Sequence, residues 1–488
     1  MAEQAVFLML KPSLGLLGLA LLALFWADLE ITTAQPWSEL ARLFAGAATP
    51  EIDWQAGLLQ GVCNTLSFAL VGTALGVFCG AGLAFFYRWR LVRIFAAVLR
   101  SVHELFWAFL LLPVFGLNAV TGILAIALPF CGVFAKVYAE MLEEADHQAL
   151  QALPPGTGAI ERFAFGLLPQ LWTELKHYTS YRFECALRSS AVLGFIGLPT
   201  LGYHLETWFR EGDYSKAFFL VYLFYLIIAS LKLWAKPNWV VLWVAVAVWA
   251  LPKESDFSWV NLQRLITVEI VPWPIRQGEG LAGLASWLER LWVQQAMTGV
   301  WETLLVAQVA LAGSALLGLL LFPLTSRSFS GPTTRATGHL GLVVLRSTPE
   351  YLLAYVFVLL LGPSMAPAIL ALMLHNGGIL AHLAAKRADQ TPLLVGVSRR
   401  KANRYLYEVL PRLYGQYFAF LLYRWETIIR ETAILGLLGL HTLGFYIDSA
   451  FGFQRTDEAL VLISVAALLN LAVDGFGRKL RGQAGRLA

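Results

Sequence analysis

YTSYRFECALRSSAVLGFIG, residues 178–197, places Arg182, Glu184 and Arg188 in a stretch whose other positions read as a buried helix. FLLYRWETIIRETAILGLLG, residues 420–439, repeats the pattern with Arg424, Glu426 and Arg430. A charge near the centre of a bilayer costs about 2.5–3.5 kcal/mol on insertion scales, so three charges in one such helix need a reason. That the block occurs twice bears on the whole architecture.

Composition sets the class. The 488 residues are 58% apolar and 14% charged, with a mean hydropathy of +0.64. Soluble domains carry about 25% charged residues, so this chain has too much apolar surface to hide from water and belongs in a membrane. The net charge of +4 is modest and fits basic cytoplasmic loops; no nucleic-acid partner is expected. Cys63, Cys79, Cys131 and Cys185 stand alone in apolar stretches and read as small reduced core residues. Residues 12–27 could resemble a removable signal peptide, but they read better as an uncleaved first span that orients the many spans after it.

Apolar stretches read as spans recur at 12–28, 59–87, 95–116, 118–140, 172–198, 214–234, 238–252, 298–323, 341–361, 364–385, 415–440 and 457–475, with 238–252 short for a crossing. In this twelve-span reading, basic residues gather in alternate loops: Arg88, Arg90 and Arg93; Lys232 and Lys236; Arg327 and Arg335; Lys386 to Arg412; and the tail from Arg478. The positive-inside rule makes that side cytoplasmic, with both termini inside. One cytoplasmic loop departs from the rule, because 141–162 carries Glu143, Glu144, Asp146 and Glu161.

The two halves are copies. GVCNTL at 61 answers GVWETL at 299, LRSVHE at 99 answers LRSTPE at 345, LLPQLW at 167 answers VLPRLY at 409, and LPTLGYHLE at 198 answers LHTLGFYID at 440. Six spans per copy is an even number, so both copies point the same way, related by a pseudo-two-fold along the membrane normal. The expected halves are 1–236 and 237–488, an all-α membrane protein of two tandem permease-like units.

The cytoplasmic loops resemble those of permeases of ATP-binding-cassette importers, which hold a motif E-A-A-x3-G-x9-I-x-L-P. Counting back from Leu168-Pro169 puts Gly156 at the glycine and Ala152 at the second alanine, with Leu150 and Gln151 replacing Glu-Ala. Counting back from Leu410-Pro411 puts Ser398 at the glycine, and a two-residue insertion would use Gly396. The charged blocks are similar to the Y-R-x-E-x-x-x-R-x-[ST]-x-[VI]-L-G block of the phosphonate-transport permeases. The resemblance covers roughly 59–234 and 298–480. It implies a type I importer fold, here with both halves in one chain, and a cargo of phosphonate or another phosphorus oxyanion such as phosphate or phosphite. It also implies two copies of a cytoplasmic ATPase docked on the loops, a periplasmic solute-binding protein, and residence in the bacterial inner membrane. The permease itself binds no cofactor; ATP and magnesium belong to the ATPase. Read without the family, Pro154-Pro155 stops any helix and the Gly156–Gly158 turn frees a short amphipathic one, a natural docking element whose alternative is a plain surface loop.

The charged blocks keep two readings. Glu184 and Arg188, like Glu426 and Arg430, stand at i, i+4 with the acid first, the better order for an ion pair that locks a helix to its neighbours. Alternatively, Arg188 and Arg430 line a path and hand on an oxyanion, which the planar guanidinium suits. Beside them Ser189-Ser190 in one copy becomes Glu431-Thr432 in the other, so a symmetric anion site is not expected. Arg182 and Arg424 lie earlier and are expected to snorkel toward the cytoplasmic surface. His103-Glu104 and Glu350 read as solvated helix ends, and His375-Asn376-Gly377-Gly378 as close helix packing or a substrate contact. His204 and His441 fall at external helix ends. No G-x-x-x-x-G-K-[ST], H-E-x-x-H, G-x-S-x-G or C-x-x-C occurs, so no catalytic site, metal site or resident motor is expected. A twelve-span secondary transporter of a small anion is the rival reading.

Overall fold

The computed structural model describes residues 2–33, 35–53, 57–154, 156–252, 257–391 and 400–485. All regular elements among them are helical. The first copy contains α1 (Ala2–Trp26), α2 (Pro36–Ala48), α3 (Leu58–Phe85), α4 (Arg90–Ser101), α5 (Glu104–Phe115), α6 (Ala119–Glu144), α7 (Ala159–Glu161), α8 (Leu168–Val192), α9 (Leu201–Glu211) and α10 (Tyr214–Trp234). The second contains α11 (Val240–Ala250), α12 (Trp259–Arg264), α13 (Trp273–Arg276), α14 (Gly280–Leu291), α15 (Met297–Thr325), α16 (Pro332–Ser347), α17 (Glu350–Leu361), α18 (Met365–Gln390), α19 (Lys401–Asn403), α20 (Leu410–Leu435), α21 (Leu443–Gly452) and α22 (Thr456–Gly485).

Six helices are long and apolar enough to cross a membrane alone, α14 and α15 counting as one continuous rod, Gly280–Thr325. Four bent helix pairs are together long and apolar enough to cross, and two shorter apolar helices, Lys11–Trp26 and Val240–Ala250, fall on the remaining expected spans. The expected spans 95–116 and 341–361 are each broken, by 92° between α4 and α5 and by 91° between α16 and α17. The cause is local. Thr348 and Pro349 are extended at ψ 124° and 138°, because proline disfavours the helical region for the residue before it. In the first copy Val102 and His103 take ψ 133° and 146°, and His103 restarts the helix by accepting the Leu105 N–H on Nδ1 at 3.1 Å.

A second duplicated break explains two of the repeated sequence blocks. α8 runs on into the 3-10 turn Leu193–Ile196, closed by Gly197 at φ +92°, and α20 into Gly436–Leu438, closed by Gly439 at φ +83°, left-handed positions that glycine tolerates. The chain then re-enters as α9 and α21. The Leu201 N–H donates to Thr65 Oγ1 at 2.8 Å and the Leu443 N–H to Thr303 Oγ1 at 3.1 Å, so the threonines of GVCNTL and GVWETL satisfy helix N-termini carried by the TLG blocks. Gly202 and Gly444 press against the Ala191 and Ala433 carbonyls so closely that a Cβ on either would overlap the oxygen.

Two compact units form: Met1–Arg42 with Glu269–Ala488, and Leu43–Val268. The leading helices therefore pack with the other copy, α1 on α15 and α11 on α3. Within the unit Leu43–Val268, a glycine stripe on α3 admits α6: a Cβ on Gly72, Gly76 or Gly80 would come within 3.0, 2.9 and 2.6 Å of Ile126, Phe130 and Phe134. Phe68, Phe134, Leu187 and Leu193 complete its core. Cys131 is buried there, but Cys79 is exposed, a correction to its reading as a core residue; in a membrane-spanning helix that exposed position is apolar surface rather than water-facing.

Candidate functional site

The broken helices set polar groups deep inside each unit. α17 is 12 residues long, about 18 Å at 1.5 Å per residue, so Glu350 at its first turn lies about half a hydrocarbon layer from the 362–364 turn. His375, ten residues into the neighbouring α18, reaches the same level, with its Nε2 at 3.8 Å from Glu350 Oε2. His375 is 1% exposed, and its Nδ1 lies 3.0 Å from the Thr348 carbonyl. A carbonyl only accepts, so Nδ1 carries the hydrogen.

Beside them α20 delivers a closed triangle. Arg424 Nε donates to Asn376 Oδ1 at 2.6 Å, Asn376 Nδ2 donates to Glu431 Oε2 at 2.9 Å, and Arg424 Nη2 donates to Glu431 Oε1 at 3.2 Å. Asn376 is fully buried and both charged partners are buried. This overturns the expectation that Arg424 snorkels to the surface: the seven-residue step to Glu431 is two helical turns, within reach of a long guanidinium stem, and pairing lowers the cost of burial. The glycines that follow do serve close packing, Gly377 against Leu317 and Gly378 against Leu345. One atom each of Glu350, His375 and Glu431 lies within 4.8 Å of the others, the donor types a metal ion takes; Arg424 and Asn376 already hold both oxygens of Glu431.

The first copy builds its level differently. Glu104, at the first turn of α5, accepts from Ser189 Oγ at 2.5 Å, and His103 Nε2 lies 3.8 Å from it. His103 is 4% exposed, so neither residue is a solvated helix end. The histidine partner of the glutamate thus comes from the break itself in one copy and from α18 in the other. Ser190 donates across to the Thr65 carbonyl of α3 at 2.8 Å, and Thr432 back to the Ile429 carbonyl of its own helix at 2.7 Å. Arg188 is half-buried and donates to Cys185 Sγ at 3.3 Å. Arg182 donates to the Tyr178 hydroxyl at 2.8 Å and lies over the Tyr178 and Tyr181 rings. Glu184, Glu426 and Arg430 are half-buried on the same helices. Ser189→Ala should remove one donor from the partly buried Glu104 and lower stability by about 1–3 kcal/mol, read as a fall in melting temperature. An unchanged melting temperature would dismiss the Ser189–Glu104 bond as structural.

The segments expected from the sequence to meet an ATPase also repeat. Gly156 is left-handed at φ +91° in a turn where Thr157 N–H and Oγ1 both donate to the Pro154 carbonyl. A π-helical turn, Arg162–Leu167, then leads into α8, and a second, Arg404–Val409, leads into α20. In each the N–H just before the proline reaches back five residues, Leu168 to Phe163 and Leu410 to Tyr405. Pro169 and Pro411 lack the N–H that would continue the ordinary ladder, which favours the widened turn. Gln170 donates to the Gly166 and Asp146 carbonyls and pins the first segment to α8. Arg404 donates to the Ser328 carbonyl at 2.9 Å. Ala152 lies in the 3-10 turn His147–Ala152, while Gly396 and Ser398 fall outside the described residues.

From sequence, Glu104 and Glu350 read as solvated helix ends, and His375 and Asn376 as packing or a substrate contact. The available signal was the glutamate closing both LRS blocks and the polar pair interrupting α18.

No protein-family model matches the chain. Among curated proteins, the phosphate-import permease protein PhnE of Mycolicibacterium smegmatis is similar at 25% identity over 467 residues, covering 87% of this chain and 85% of its own length. The phosphite transport system permease protein PtxC of Stutzerimonas stutzeri is 26% identical over 211 residues, 41% of this chain and 77% of its own. A crystal structure of an amino acid ABC transporter with histidines overlaps 41% of this chain and 97% of its own at TM-score 0.34 and 14% identity.

Proposed function

We infer that the chain is the membrane permease of an ATP-binding-cassette importer, with both permease halves in one polypeptide, and that its cargo is phosphonate or a related phosphorus oxyanion such as phosphate or phosphite. The observation that carries this is the chain-long likeness to one phosphate-import permease, with a phosphite permease of half the span matching 41% of the chain. The duplicated coupling geometry supports it: each copy ends a cytoplasmic segment in a π turn and a Leu-Pro helix start. Two ATPase subunits dock there and hydrolyse magnesium ATP, while a periplasmic binding protein delivers the cargo. Cargo then passes from periplasm to cytoplasm across the bacterial inner membrane, with both termini of the chain in the cytoplasm. The buried Arg424–Asn376–Glu431 triangle acts as helix-to-helix glue, since its guanidinium is already held by two partners.

The test is reconstitution of the chain with its ATPase and binding protein in liposomes, followed by uptake of labelled phosphate, phosphite and methylphosphonate. ATP-dependent accumulation of at least one is expected; uptake driven by an ion gradient without ATP would point to a secondary transporter instead. In the same system Gly156→Val should cut uptake at least tenfold while ATP hydrolysis continues. A β-branched residue is strained at φ +91°, although nothing lies within 4 Å to exclude it, so the segment reshapes without unfolding the bundle. Normal uptake by a normally inserted Gly156→Val chain would remove this loop from coupling.

A further inference from the structure

At the end of α15 remote from the coupling segment, the unit holding Glu269–Ala488 contains a cavity of about 600 Å³. Its wall includes Trp273, Arg276, Trp287, Arg290, Gln294 and Arg455. α15 has 29 residues, so this cavity lies about 44 Å along the helix from the loop at Ser328 that Arg404 grips.

Charge and hydrogen-bond accounting indicate an anion. Three guanidiniums face two carboxylates. Asp457, 4% exposed, is fully engaged: it accepts the Trp273 N–H at 2.7 Å and Arg276 Nη2 at 3.3 Å on the same oxygen, and the Glu458 N–H at 3.0 Å on the other. Glu458 takes Arg455 at 3.5 Å. These carboxylates orient two of the arginines, each of which has five N–H donors in all. Arg290, Gln294 and Gln295 have no partner among the described residues, so one more guanidinium and two amides present donors to the cavity. Two backbone departures shape this wall. Gln294 and Gln295 sit in the π-helical turn Trp292–Ala296, and Gln454 holds φ +57°, the one positive φ recorded for a residue other than glycine among the described residues. Close by, Trp292, Val293, Met297 and Trp301 are exposed on the outer face of the same rod, the apolar and aromatic surface of a membrane boundary.

We propose that this cavity binds a phosphorus oxyanion, its oxygens held by the forked donors of Arg290 with Arg276 and Arg455 and by the glutamine amides. Guanidinium groups match such oxygens bidentately. Two sources share that chemistry: the phosphodiester of an anionic lipid headgroup at the boundary, and a free phosphate or phosphonate at the mouth. That the mouth faces the periplasm rests on the importer orientation; the oxyanion chemistry does not.

The experiment uses the purified full chain and reads binding, so it is independent of uptake. One arm titrates inorganic phosphate and methylphosphonate in detergent by calorimetry. The other measures retention of phosphatidylglycerol against phosphatidylcholine by native mass spectrometry from mixed nanodiscs. Arg290→Gln should weaken whichever ligand binds at least tenfold, with Arg290→Lys intermediate because it keeps the charge and loses the fork. Arg290 is exposed, so these variants should keep the wild-type melting temperature. Loss confined to the first arm identifies a free oxyanion, and loss confined to the second a headgroup. Equal binding by wild type and Arg290→Gln in both arms, or no binding in either, overturns the proposal.

Discussion

A Gly444→Ala chain should fail to assemble, leaving little monodisperse protein after detergent extraction. The added methyl would overlap the Ala433 carbonyl oxygen, and Gly202→Ala would meet the Ala191 carbonyl in the same way. Overpacking costs about 1–3 kcal/mol where side chains can move aside. Here the obstacle is main chain on both sides, so the cost lies above that range and takes a large share of a stability of about 5–15 kcal/mol. Relief would require α21 to withdraw from α20, breaking the Leu443–Thr303 bond and the Thr442–Thr432 bond at 3.2 Å. Gly452→Ala, on the same helix with nothing within 4 Å, is the control and should express and melt like the parent. If Gly444→Ala matched Gly452→Ala in yield and melting temperature, the close approach of α20 and α21 would be refuted.

That contact was half visible in sequence. The repeated TLG and NTL or ETL blocks marked something duplicated, and the twelve apolar stretches each found a helix or helix pair. Hydropathy could not show the right-angle breaks, because α4 and α5, or α16 and α17, add up to one continuous apolar count whether straight or bent. Pro349 was a local sign of its break, but its counterpart is His103, which reaches the same conformation by capping. The exchange of leading helices between the two copies was likewise hidden, since periodicity records that a face is apolar and is silent on which partner covers it. At the site, spacing favoured the i, i+4 partners Glu426 and Arg430. Arg424 and Glu431 are each also bonded to Asn376, which arrives from another helix and has no counterpart in the first copy, where Phe130 stands at that level.

Removing Arg424 alone, as Arg424→Met, should destabilise the chain by about 3–5 kcal/mol, because it strands the buried Glu431 carboxylate. Glu431→Gln should cost less, since an amide still accepts from Arg424 but leaves the guanidinium without its counter-charge. The double variant Arg424→Met, Glu431→Leu should recover most of the loss, as no charge is then stranded. A residue of about 1–3 kcal/mol should persist, because Asn376 would lose both partners while remaining fully buried. Adding Asn376→Leu should remove that residue as well. The readout is resistance to unfolding in detergent mixtures for the whole chain, combined as a double-mutant cycle. Strictly additive single losses would show that the triangle is not one cooperative network. The duplication supplies the internal comparison: Arg182, at the matching position of the first copy, is half-buried and held by a tyrosine hydroxyl, with a serine where the second copy has Glu431. Arg182→Met should therefore cost far less than Arg424→Met, although the two arginines occupy the same place in the repeated block.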